Sequence, residues 1–368
     1  MSDVRTIRSL GVKSPGQLYF FSYDEAPLDH GHFRVDTLFS GFSAGTELTF
    51  IKGSNPYLSA RWDDRYGVFT KGEVSAQYPI PFLGYMEAAR VTRSHTPAVR
   101  EGDVVAMAYG HKTGHTADAS QEFFLPLPPD FDPLLGIYVA QMGPICANAV
   151  LHAAADLVGT DVRDLGEGVR RLNVVVMGAG VVGLLVALFC RHFDAADVLV
   201  VDPSPHRRSK AESMGFSAVD ECNGGYVVKE RWSHGGADRG ADVVFQCRAS
   251  AASLHESLRA LRPQGTVIDL AFYQGGAEHL RLGEEFHHNG LAIRCAQIGR
   301  VPRGLSFTWT RQRLAREALA LLKAEGDVIR KYMISDMVPL EAAPAFVADL
   351  VQHRHDFVQI VFQVADGV

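Results

Sequence analysis

Residues 172–202 decide the fold, and they read LNVVVMGAGVVGLLVALFCRHFDAADVLVVD. The stretch begins with a short β-branched apolar run, which is typical of a buried parallel strand. A G-x-G-x-x-G motif follows at once, and after it come an apolar helical segment, a second apolar run and Asp202. The order strand, glycine-rich turn, helix, strand and acid predicts a unit that binds a dinucleotide.

Each glycine of the motif has an expected role in dinucleotide binding. Gly178 permits a tight turn, Gly180 lets the backbone approach a pyrophosphate, and Gly183 lets the helix pack closely on the strand. The N-terminus of the helix offers unpaired N–H groups and the positive end of its dipole to the phosphates. We therefore predict cofactor contacts at Gly178, Gly180, Val181, Val182 and Gly183.

Asp202 predicts which dinucleotide binds. A carboxylate at the end of the second strand accepts hydrogen bonds from the adenosine ribose and repels a 2′-phosphate, so NAD is favoured over NADP. Arg207 comes shortly after Asp202 and is placed to reach the adenosine side. Because residues 206–208 read HRR, NADP stays open as a second possibility.

Three further cofactor contacts follow from later strands. Cys247 and Arg248 follow the predicted strand 241–245, and Phe272 follows the predicted strand 266–270. The carboxyl ends of its strands are where a doubly wound sheet holds its ligand. We therefore add these three residues to the predicted cofactor site.

The composition is that of a globular protein with two domains. The 368 residues are 47% hydrophobic and 21% charged, and the chain is long enough to form two cores. The net charge of −6, without a lysine- or arginine-rich run, gives no electrostatic footprint for nucleic acid. Three close glycines and clustered β-branched residues argue against a membrane span over residues 172–190. We expect neither a nucleic acid nor a membrane as partner.

Cysteine usage and the N-terminus indicate the compartment. Five scattered cysteines with no C-x-x-C pair are typical of reduced thiols and offer no cysteine-rich structural zinc site. Residues 1–10 carry charges and lack an apolar signal core, so no export is expected. The expected localisation is cytoplasmic.

Two patterns of predicted structure divide the chain. The region before the glycine motif indicates β structure with long loops, including a strand at 35–39 and a turn at 41–47. From residue 172 strands and helices alternate, which predicts an α/β fold with a doubly wound parallel sheet. The tail ends in an apolar strand at 357–362, which we expect to rejoin the first domain.

The segment 57–81 is loop-rich and aromatic, with Trp62, Tyr66, Phe69 and Tyr78. Long loops in compact domains are often functional, so the segment is either a lid or substrate wall, or else an excursion on the surface. The sequence leaves both interpretations open.

Together these parts resemble the medium-chain dehydrogenase/reductase family, and the resemblance covers essentially the whole chain. It is carried by the glycine motif and by the stretches SAGTE at 43–47, EGDVV at 101–105 and LRPQGTV at 261–267. The resemblance implies an NAD(P)-dependent oxidoreductase with a Rossmann domain and a GroES-like β-barrel catalytic domain. It assigns the catalytic domain to residues 1–150 and 300–368 and the dinucleotide-binding domain to residues 151–299.

A narrower resemblance concerns the subgroup. SAGTE together with Gly84 and Tyr85 is similar to the subgroup that includes bacteriochlorophyllide a dehydrogenase, and residues 286–294 and 299–302 support the same subgroup. The family resemblance also implies a homodimer in which the last strand of the nucleotide sheet, residues 291–296, pairs across a two-fold axis. An apolar strand edge would otherwise be left exposed.

Departures from the family pattern predict that the protein works without zinc. Aligned by the motifs, the zinc-ligand positions fall on Ala44 (or Ser43, if the loop is shifted), on Tyr85 and on Gly143. Such zinc sites need imidazole, thiolate or carboxylate, which none of these residues supplies. Cys146 lies near the third position, but without two partners it is interpreted as a small apolar filler.

Hydroxyl and imidazole groups are the candidates to replace the metal. Thr46 matches the family's hydroxyl that contacts the substrate alcohol, and Tyr85 stands where a zinc ligand would point into the substrate cleft. His111 is a candidate proton shuttle, because histidine titrates near neutral pH. Tyr109 falls where the family places an aromatic wall of the substrate pocket. We predict these four residues as catalytic. Two structural alternatives stay open: Thr46 as a threonine that only stabilises the turn, and Tyr85 as a ring that only fills space.

The predicted activity is zinc-independent hydride transfer between NAD and a secondary alcohol/ketone pair, with a sugar, cyclitol or specialised-metabolite intermediate as the substrate. Zinc normally stabilises the alkoxide, so its loss requires a group that exchanges a proton as the hydride moves. One alternative is an NADPH-dependent reductase of C=C bonds or quinones, which Asp202 disfavours. Another is a non-catalytic NAD(H)-binding sensor or structural protein.

Overall fold

The computed structural model describes residues 4–353 and 356–364, and the chain forms two compact units. Unit 1 comprises Met1–Gln141, Ser335–His355 and Gln359–Val368, and unit 2 comprises Met142–Ile334 and Asp356–Val358. The predicted catalytic domain includes residues 1–3, 354–355 and 365–368, which lie outside the described residues. Which part of the chain carries catalysis and which carries the cofactor stays a prediction.

Unit 1 is built around an antiparallel sheet. Up to residue 126 its elements are β1 (Arg5–Ser14), β2 (Gln17–Glu25), β3 (His32–Phe42), α1 (Ala44–Lys52), β4 (Arg61–Asp63), β5 (Val68–Thr70), β6 (Glu87–Ser94), β7 (Val104–Met107), β8 (Gly114–Asp118) and β9 (Leu125–Pro126). Strand β3 pairs with both β6 and β8, and the sheet continues through β7 to β9. Apolar side chains of β3, β6 and β7, including Phe33, Val91 and Val105, meet in one core.

The predicted turn at 41–47 is wrong, because residues 41–42 end β3 and α1 begins at Ala44. Ser43 is the N-cap of α1, and Glu47 in the first turn returns its carboxylate to the Ser43 N–H at 2.7 Å. This contact satisfies a backbone donor at the helix start, and the positive end of the helix dipole also favours the acid. The helix therefore fixes the position of the residues that follow Ser43.

Unit 2 is an α/β fold with a six-stranded sheet that is parallel throughout. Its elements are α2 (Met142–Val158), β10 (Asn173–Met177), α3 (Val181–His192), β11 (Asp197–Val201), α4 (Pro205–Ser213), β12 (Ser217–Val219), α5 (Gly224–Arg231), β13 (Ser233–Gly235), β14 (Asp238–Arg239), β15 (Ala241–Gln246), α6 (Ala251–Ala260), β16 (Leu261–Asp269), β17 (Ala292–Cys295) and α7 (Arg311–Tyr332). The chain runs outward from β10 to β12 and then crosses to β15 on the other side of β10. This reversal confirms the predicted doubly wound sheet.

The end of the chain completes unit 1. After β18 (Ile334–Pro339) and α8 (Ala343–His353), strand β19 (Gln359–Gln363) pairs antiparallel with β3, with Ile360 opposite Phe42. The predicted return of the tail to the first domain is thereby confirmed. Across the described residues, no helix combines the length and the apolar character needed to cross a bilayer.

Candidate active site

Three hydroxyl groups come together at the start of α1. The Ser43 hydroxyl and the Tyr85 phenol form a short hydrogen bond, and Thr46 Oγ1 lies 3.4 Å from the same phenol oxygen. Ser43 is buried, whereas Thr46 and Tyr85 are half-buried. The structure thus brings together two predicted catalytic residues, Thr46 and Tyr85, and adds a third hydroxyl to them.

Ser43 is the residue of this group that sequence reasoning did not assign to catalysis. A serine at an N-cap normally accepts a hydrogen bond from the first helical turn, but the Ser43 side chain makes no capping bond. Its N–H is held by Glu47, and its hydroxyl is paired with Tyr85 instead. Its sequence signal is its place at the start of SAGTE, where the alignment of motifs offers it only as a shifted zinc-ligand position.

A buried network joins polar side chains of β3, α1, β6 and the segment after β7. His111 Nε2 lies 2.7 Å from Glu47 Oε2, and His111 Nδ1 lies 2.6 Å from Ser40 Oγ. Ser40 donates in turn to Glu87 Oε1 at 2.9 Å. His111 and Glu87 are fully buried and Glu47 is 2% exposed. A side chain without solvent access favours a positioning role for His111 over the predicted role as a proton shuttle.

Both electrostatics and packing stabilise the His111 side chain within this buried network. Burial by itself lowers the pKa of His111, but the charge and hydrogen bond of Glu47 and the charge of Glu87 raise it, and the net direction is upward. Burial raises the pKa of Glu87, against the charge of His111 and the hydrogen bonds that the carboxylate accepts. Gly84 leaves room for the imidazole, since a Cβ there would lie 2.8 Å from His111 Cε1.

Tyr109 lies inside unit 1. Its side chain is 8% exposed, its hydroxyl lies 2.5 Å from Thr37 Oγ1, and its ring stacks on His115 with centroids 4.7 Å apart. Burial, followed by the charge of Glu87, raises the pKa of Tyr109 well above its ordinary value, so its phenol is a hydrogen-bond partner near neutral pH. Its backbone N–H donates to Glu87 Oε2 at 2.8 Å. Tyr109 thus supports the buried network.

The zinc-ligand positions of the family do not fit a zinc ion in this chain. Ala44 is the first residue of α1 and Gly143 lies in the first turn of α2, so neither offers a ligand side chain. The Tyr85 phenol is paired with Ser43. Cys146 donates its thiol to Val182 O at 3.6 Å, and burial raises the pKa of that thiol, which disfavours the thiolate that zinc requires.

The glycine-rich turn of unit 2 has the geometry that the sequence predicts. Gly178 follows β10 with a φ of +102°, and its N–H donates to Val201 O at 2.7 Å. A Cβ at Gly183 would lie 1.7 Å from Gly178 O, so only glycine lets α3 pack this closely. Gly180 is the N-cap of α3 and has no side chain to occupy the first N–H groups of the helix, which begins with Val181 and Val182.

Asp202 follows β11, as predicted, but its carboxylate faces the protein backbone. It is 2% exposed, and its two oxygens accept from Ala179 N and Ser204 N, both at 2.8 Å. The carboxylate therefore links the glycine-rich turn to the start of α4. Each oxygen has a second lone pair, and the ribose contact of Asp202 stays a prediction.

Arg207 lies over the glycine-rich turn. Its Nη1 is 3.6 Å from the place that a Cβ of Gly180 would take, and its Nη2 donates to Phe357 O at 3.3 Å. The Nε atom is buried without a hydrogen-bond partner, and no carboxylate of the described chain forms an ion pair with Arg207. An unpaired guanidinium at this place suits an anionic pyrophosphate.

Two neighbouring arginines are paired with acids. Arg208 Nη1 lies 2.7 Å from Asp220 Oδ2, and Arg248 Nη1 lies 2.7 Å from Glu221 Oε2. A Cβ at Gly178 would lie 3.1 Å from Arg248 Cβ, so Arg248 borders the glycine-rich turn, and its contact with the cofactor stays a prediction. These pairs leave Arg207 as the unpaired cation among the three.

A pocket of about 500 Å³ opens at the carboxyl ends of β11 and β12, with Pro203, Glu221 and His255 among its lining residues. Cys247 is half-buried at the end of β15, where burial raises the pKa of its thiol, and Phe272 is 43% exposed beyond β16.

Among the described residues, one group of three side chains that could bind a metal comes together, and it lies in unit 2. It consists of His255, Glu284 and Glu285, whose ligand atoms lie within 4.8 Å of one another.

Comparisons with known proteins indicate the class, an oxidoreductase that uses a dinucleotide. A family model described as zinc-binding dehydrogenase matches residues 181–309. D-guloside 3-dehydrogenase of Escherichia coli (strain K12) is 24% identical over 320 residues, which are 86% of this chain and 88% of that protein.

Solved structures give the same fold. The structure of 2R,3R-butanediol dehydrogenase from Bacillus subtilis has a TM-score of 0.70 at 16% identity, over 97% of this chain and 99% of that chain. An alcohol dehydrogenase from Thermotoga maritima has a TM-score of 0.72 at 15% identity, over 98% and 99%. The chain is thus similar to alcohol-dehydrogenase-like oxidoreductases along most of its length, and its fold is the Rossmann and GroES-like architecture that the resemblance implied.

Proposed function

We propose that this protein is an NAD-dependent dehydrogenase or reductase that transfers a hydride between nicotinamide and a secondary alcohol/ketone pair without zinc. The substrate class that we infer is polyhydroxylated: a sugar, a cyclitol or a related intermediate of specialised metabolism. The name of the Escherichia coli relative, which refers to a guloside, supports a sugar-like substrate. The similarity of residues 43–47 and 84–85 to the bacteriochlorophyllide a dehydrogenase subgroup is part of the same proposal.

The proposal rests on the contact between the three hydroxyl groups of Ser43, Thr46 and Tyr85. Bound NAD would supply the hydride acceptor, so the protein must take the proton of the substrate hydroxyl. In our scheme that proton passes to the Tyr85 oxygen while the phenol proton moves to Thr46 Oγ1, and the half-buried Thr46 hydroxyl releases its own proton to solvent. The Ser43 hydroxyl holds the phenol in place. A carbonyl forms on the substrate as its C–H hydride leaves, and reduction follows the same path in reverse.

The cofactor residues are assigned to unit 2. The turn from Gly178 to Gly183 and the unpaired guanidinium of Arg207 would hold the pyrophosphate, because backbone N–H groups and a cation face one place. Asp202 would accept from the ribose with its remaining lone pairs. Cys247, Arg248 and Phe272, at the carboxyl ends of β15 and β16, would line the rest of the site.

We further propose a cytoplasmic homodimer. Strand β17 is the edge of the six-stranded sheet, and its Ala292, Ile293 and Cys295 are exposed, so pairing with a second copy would cover an apolar edge. The five cysteines are free thiols, which suits a reducing compartment.

Metal analysis and nucleotide titrations of the purified protein test the proposal, followed by turnover assays with D-gulosides, 2R,3R-butanediol and myo-inositol. We expect metal-free protein that binds NADH more tightly than NADPH and oxidises a polyhydroxylated alcohol. Turnover that requires stoichiometric zinc would contradict the zinc-free scheme. A preference for NADPH with turnover of quinones or enones would favour the reductase alternative, and tight NADH binding with no turnover would favour a sensor.

A further inference from the structure

We propose that His111 is a buried imidazolium, charged at neutral pH, that acts as a positioning residue for the Ser43–Tyr85 hydroxyl pair. Its role toward catalysis rests on the proposed function, because that function assigns the proton transfer to Tyr85. The charge state of His111 is inferred only from hydrogen bonds within unit 1.

The hydrogen bonds around His111 account for a proton on each ring nitrogen. Nε2 lies 2.7 Å from Glu47 Oε2, and an ionised carboxylate only accepts, so Nε2 carries a hydrogen. Ser40 gives its single hydroxyl hydrogen to Glu87 Oε1 at 2.9 Å. Ser40 can therefore only accept from His111 Nδ1, which lies 2.6 Å away, and Nδ1 carries a hydrogen as well.

The negative charges of two glutamates compensate the positive charge of the His111 ring. Glu47 approaches from α1 and Glu87 from β6, while Phe42 and Phe362 pack their rings near the imidazole from β3 and β19. Lys112 follows directly, and its ammonium lies over aromatic rings, 5.8 Å from the Tyr23 centroid. A buried charge persists where it is paired and its hydrogen bonds are complete, and both conditions hold for His111.

His111 reaches both members of the hydroxyl pair through one neighbour each. Glu47 accepts from His111 with one oxygen and from the Ser43 N–H with the other, both at 2.7 Å. On the other side, the imidazole packs against Gly84, the residue before Tyr85. Loss of the imidazolium would therefore release the Ser43 backbone and leave a gap beside the Tyr85 backbone.

Nitrogen-15 NMR of the histidine rings in the full-length wild-type protein tests the charge state without a substrate. His152 is the internal reference: it is 6% exposed, its Nε2 donates to Arg300 O at 3.0 Å, and its Nδ1 has no hydrogen-bond partner among the described residues. At a pH of about 7.5 we expect two protonated nitrogens for His111 and one for His152. A His111 ring with one unprotonated nitrogen at that pH would overturn the proposal.

Carbon-13 NMR of the tyrosine Cζ atoms tests the positioning role, with Tyr85→Phe used to assign the Tyr85 signal. In His111→Gln we expect the Tyr85 signal to move toward that of a free tyrosine, because the pair with Ser43 loosens, while Tyr226, which is 69% exposed in unit 2, stays unchanged. An unmoved Tyr85 signal in folded His111→Gln would overturn the role.

A second variant keeps the test available should His111→Gln fail to fold. Ser40→Ala removes the partner of His111 Nδ1 and leaves the contact with Glu47 in place, and we expect the same change in the Tyr85 signal. If Tyr85 does not respond in a folded Ser40→Ala protein either, the positioning role is wrong. Neither NMR measurement requires turnover, so a failure of the proposed dehydrogenase activity would be seen separately.

Discussion

At the scale of single residues, the Tyr85 phenol is the group on which the proposed reaction depends most. Its oxygen is shared between Ser43 and Thr46, so it can take up one proton while it releases another. An isolated phenol, with a pKa of about 10, is mainly a donor near neutral pH. The neighbouring hydroxyl groups therefore give the Tyr85 phenol partners with which it can exchange its proton.

Replacement of Tyr85 by phenylalanine keeps the ring and removes the proton path. We expect kcat in Tyr85→Phe to fall by about 10²-fold or more, as for the loss of a general acid–base group, with little change in the Kd of NADH. Steady-state kinetics and NADH titration measure the two effects. Tyr226→Phe, at an exposed tyrosine of unit 2, is the matched control and should retain wild-type kcat. Wild-type turnover in Tyr85→Phe would refute the scheme.

Single residues of the site were predictable where they belong to a motif. The sequence predicts Thr46 and Tyr85, which the structure brings together, because SAGTE and the residues around Gly84 mark their places. The sequence gives no sign of the contact between Ser43 and Tyr85, because the two residues are 42 positions apart and an N-cap serine normally bonds its own helix. The burial of His111 was hidden as well, since a histidine after a strand gives no signal of the two carboxylates that surround it.

At the scale of elements, the turn between β10 and α3 depends on a contact that only glycine permits. In Gly183→Ala the new Cβ would lie 1.7 Å from Gly178 O, so the turn must open or α3 must move. We expect a loss of stability of about 1–3 kcal/mol, as for overpacking, together with much weaker NADH binding. Urea unfolding and NADH titration measure both. Gly275→Ala, where a Cβ meets nothing within 4 Å, should behave as wild type.

The acids at the end of β12 give a prediction on cofactor choice. Asp220 and Glu221 engage Arg208 and Arg248, so Asp220→Asn and Glu221→Gln would free these cations for a 2′-phosphate. Because solvent screens such partly exposed ion pairs, the gain is small, and we expect NADPH to bind up to about fivefold more tightly in each variant. Fluorescence titration with NADPH and NADH is the measurement.

A matched control for these variants lies elsewhere in unit 2. Asp238→Asn also removes one negative charge, but it lies in β14, and its partner Arg262 in β16 keeps Asp242 as a second acid. It should leave the affinities for NADPH and NADH unchanged. If Asp238→Asn improves NADPH binding as much as Glu221→Gln does, the effect is one of net charge and the local pairs do not select the cofactor.

Elements were predictable where hydrophobic periodicity dominates. The strand–helix alternation after residue 172 gave the parallel sheet, because buried β-branched runs and apolar helices differ clearly in sequence. The start of α1 was predicted as a turn, because Gly41 and Gly45 suggest one. The contact of Glu47 with the Ser43 N–H outweighs that local preference.

At the scale of the whole molecule, the free edge of β17 bears on oligomeric state. Ile293→Lys places a charge on the exposed edge strand, and we expect it to shift the proposed dimer to monomer, because natural sheets use edge lysines to prevent pairing. Light scattering at micromolar concentration measures the mass. Met337→Lys, at an exposed apolar residue of β18 in the other sheet, is the matched control. A monomeric wild type would refute the dimer.

The stability of the whole molecule should depend on pH through His111. Its pKa is raised, since the two glutamates outweigh the burial that lowers it, so the folded state binds this proton more tightly than the unfolded state does. The resulting stabilisation is complete below the ordinary value of 6.5 and is lost as the pH rises through the folded pKa. The pKa of Glu87, raised by burial, acts with the same sign from 4.5 upward.

Urea unfolding of wild type and His111→Gln across this range isolates the contribution of His111, because Glu87 is present in both. We expect the advantage of wild type in free energy of unfolding to be largest below 6.5 and to shrink as the pH rises above it. His152→Gln is the control with the opposite sign: burial lowers the pKa of His152, so deprotonation stabilises its folded environment as the pH rises toward 6.5. A wild-type advantage that instead grows as the pH rises toward 6.5 and is constant above it would mean that His111 is neutral in the folded protein, and the network would then hold its proton on a carboxylate.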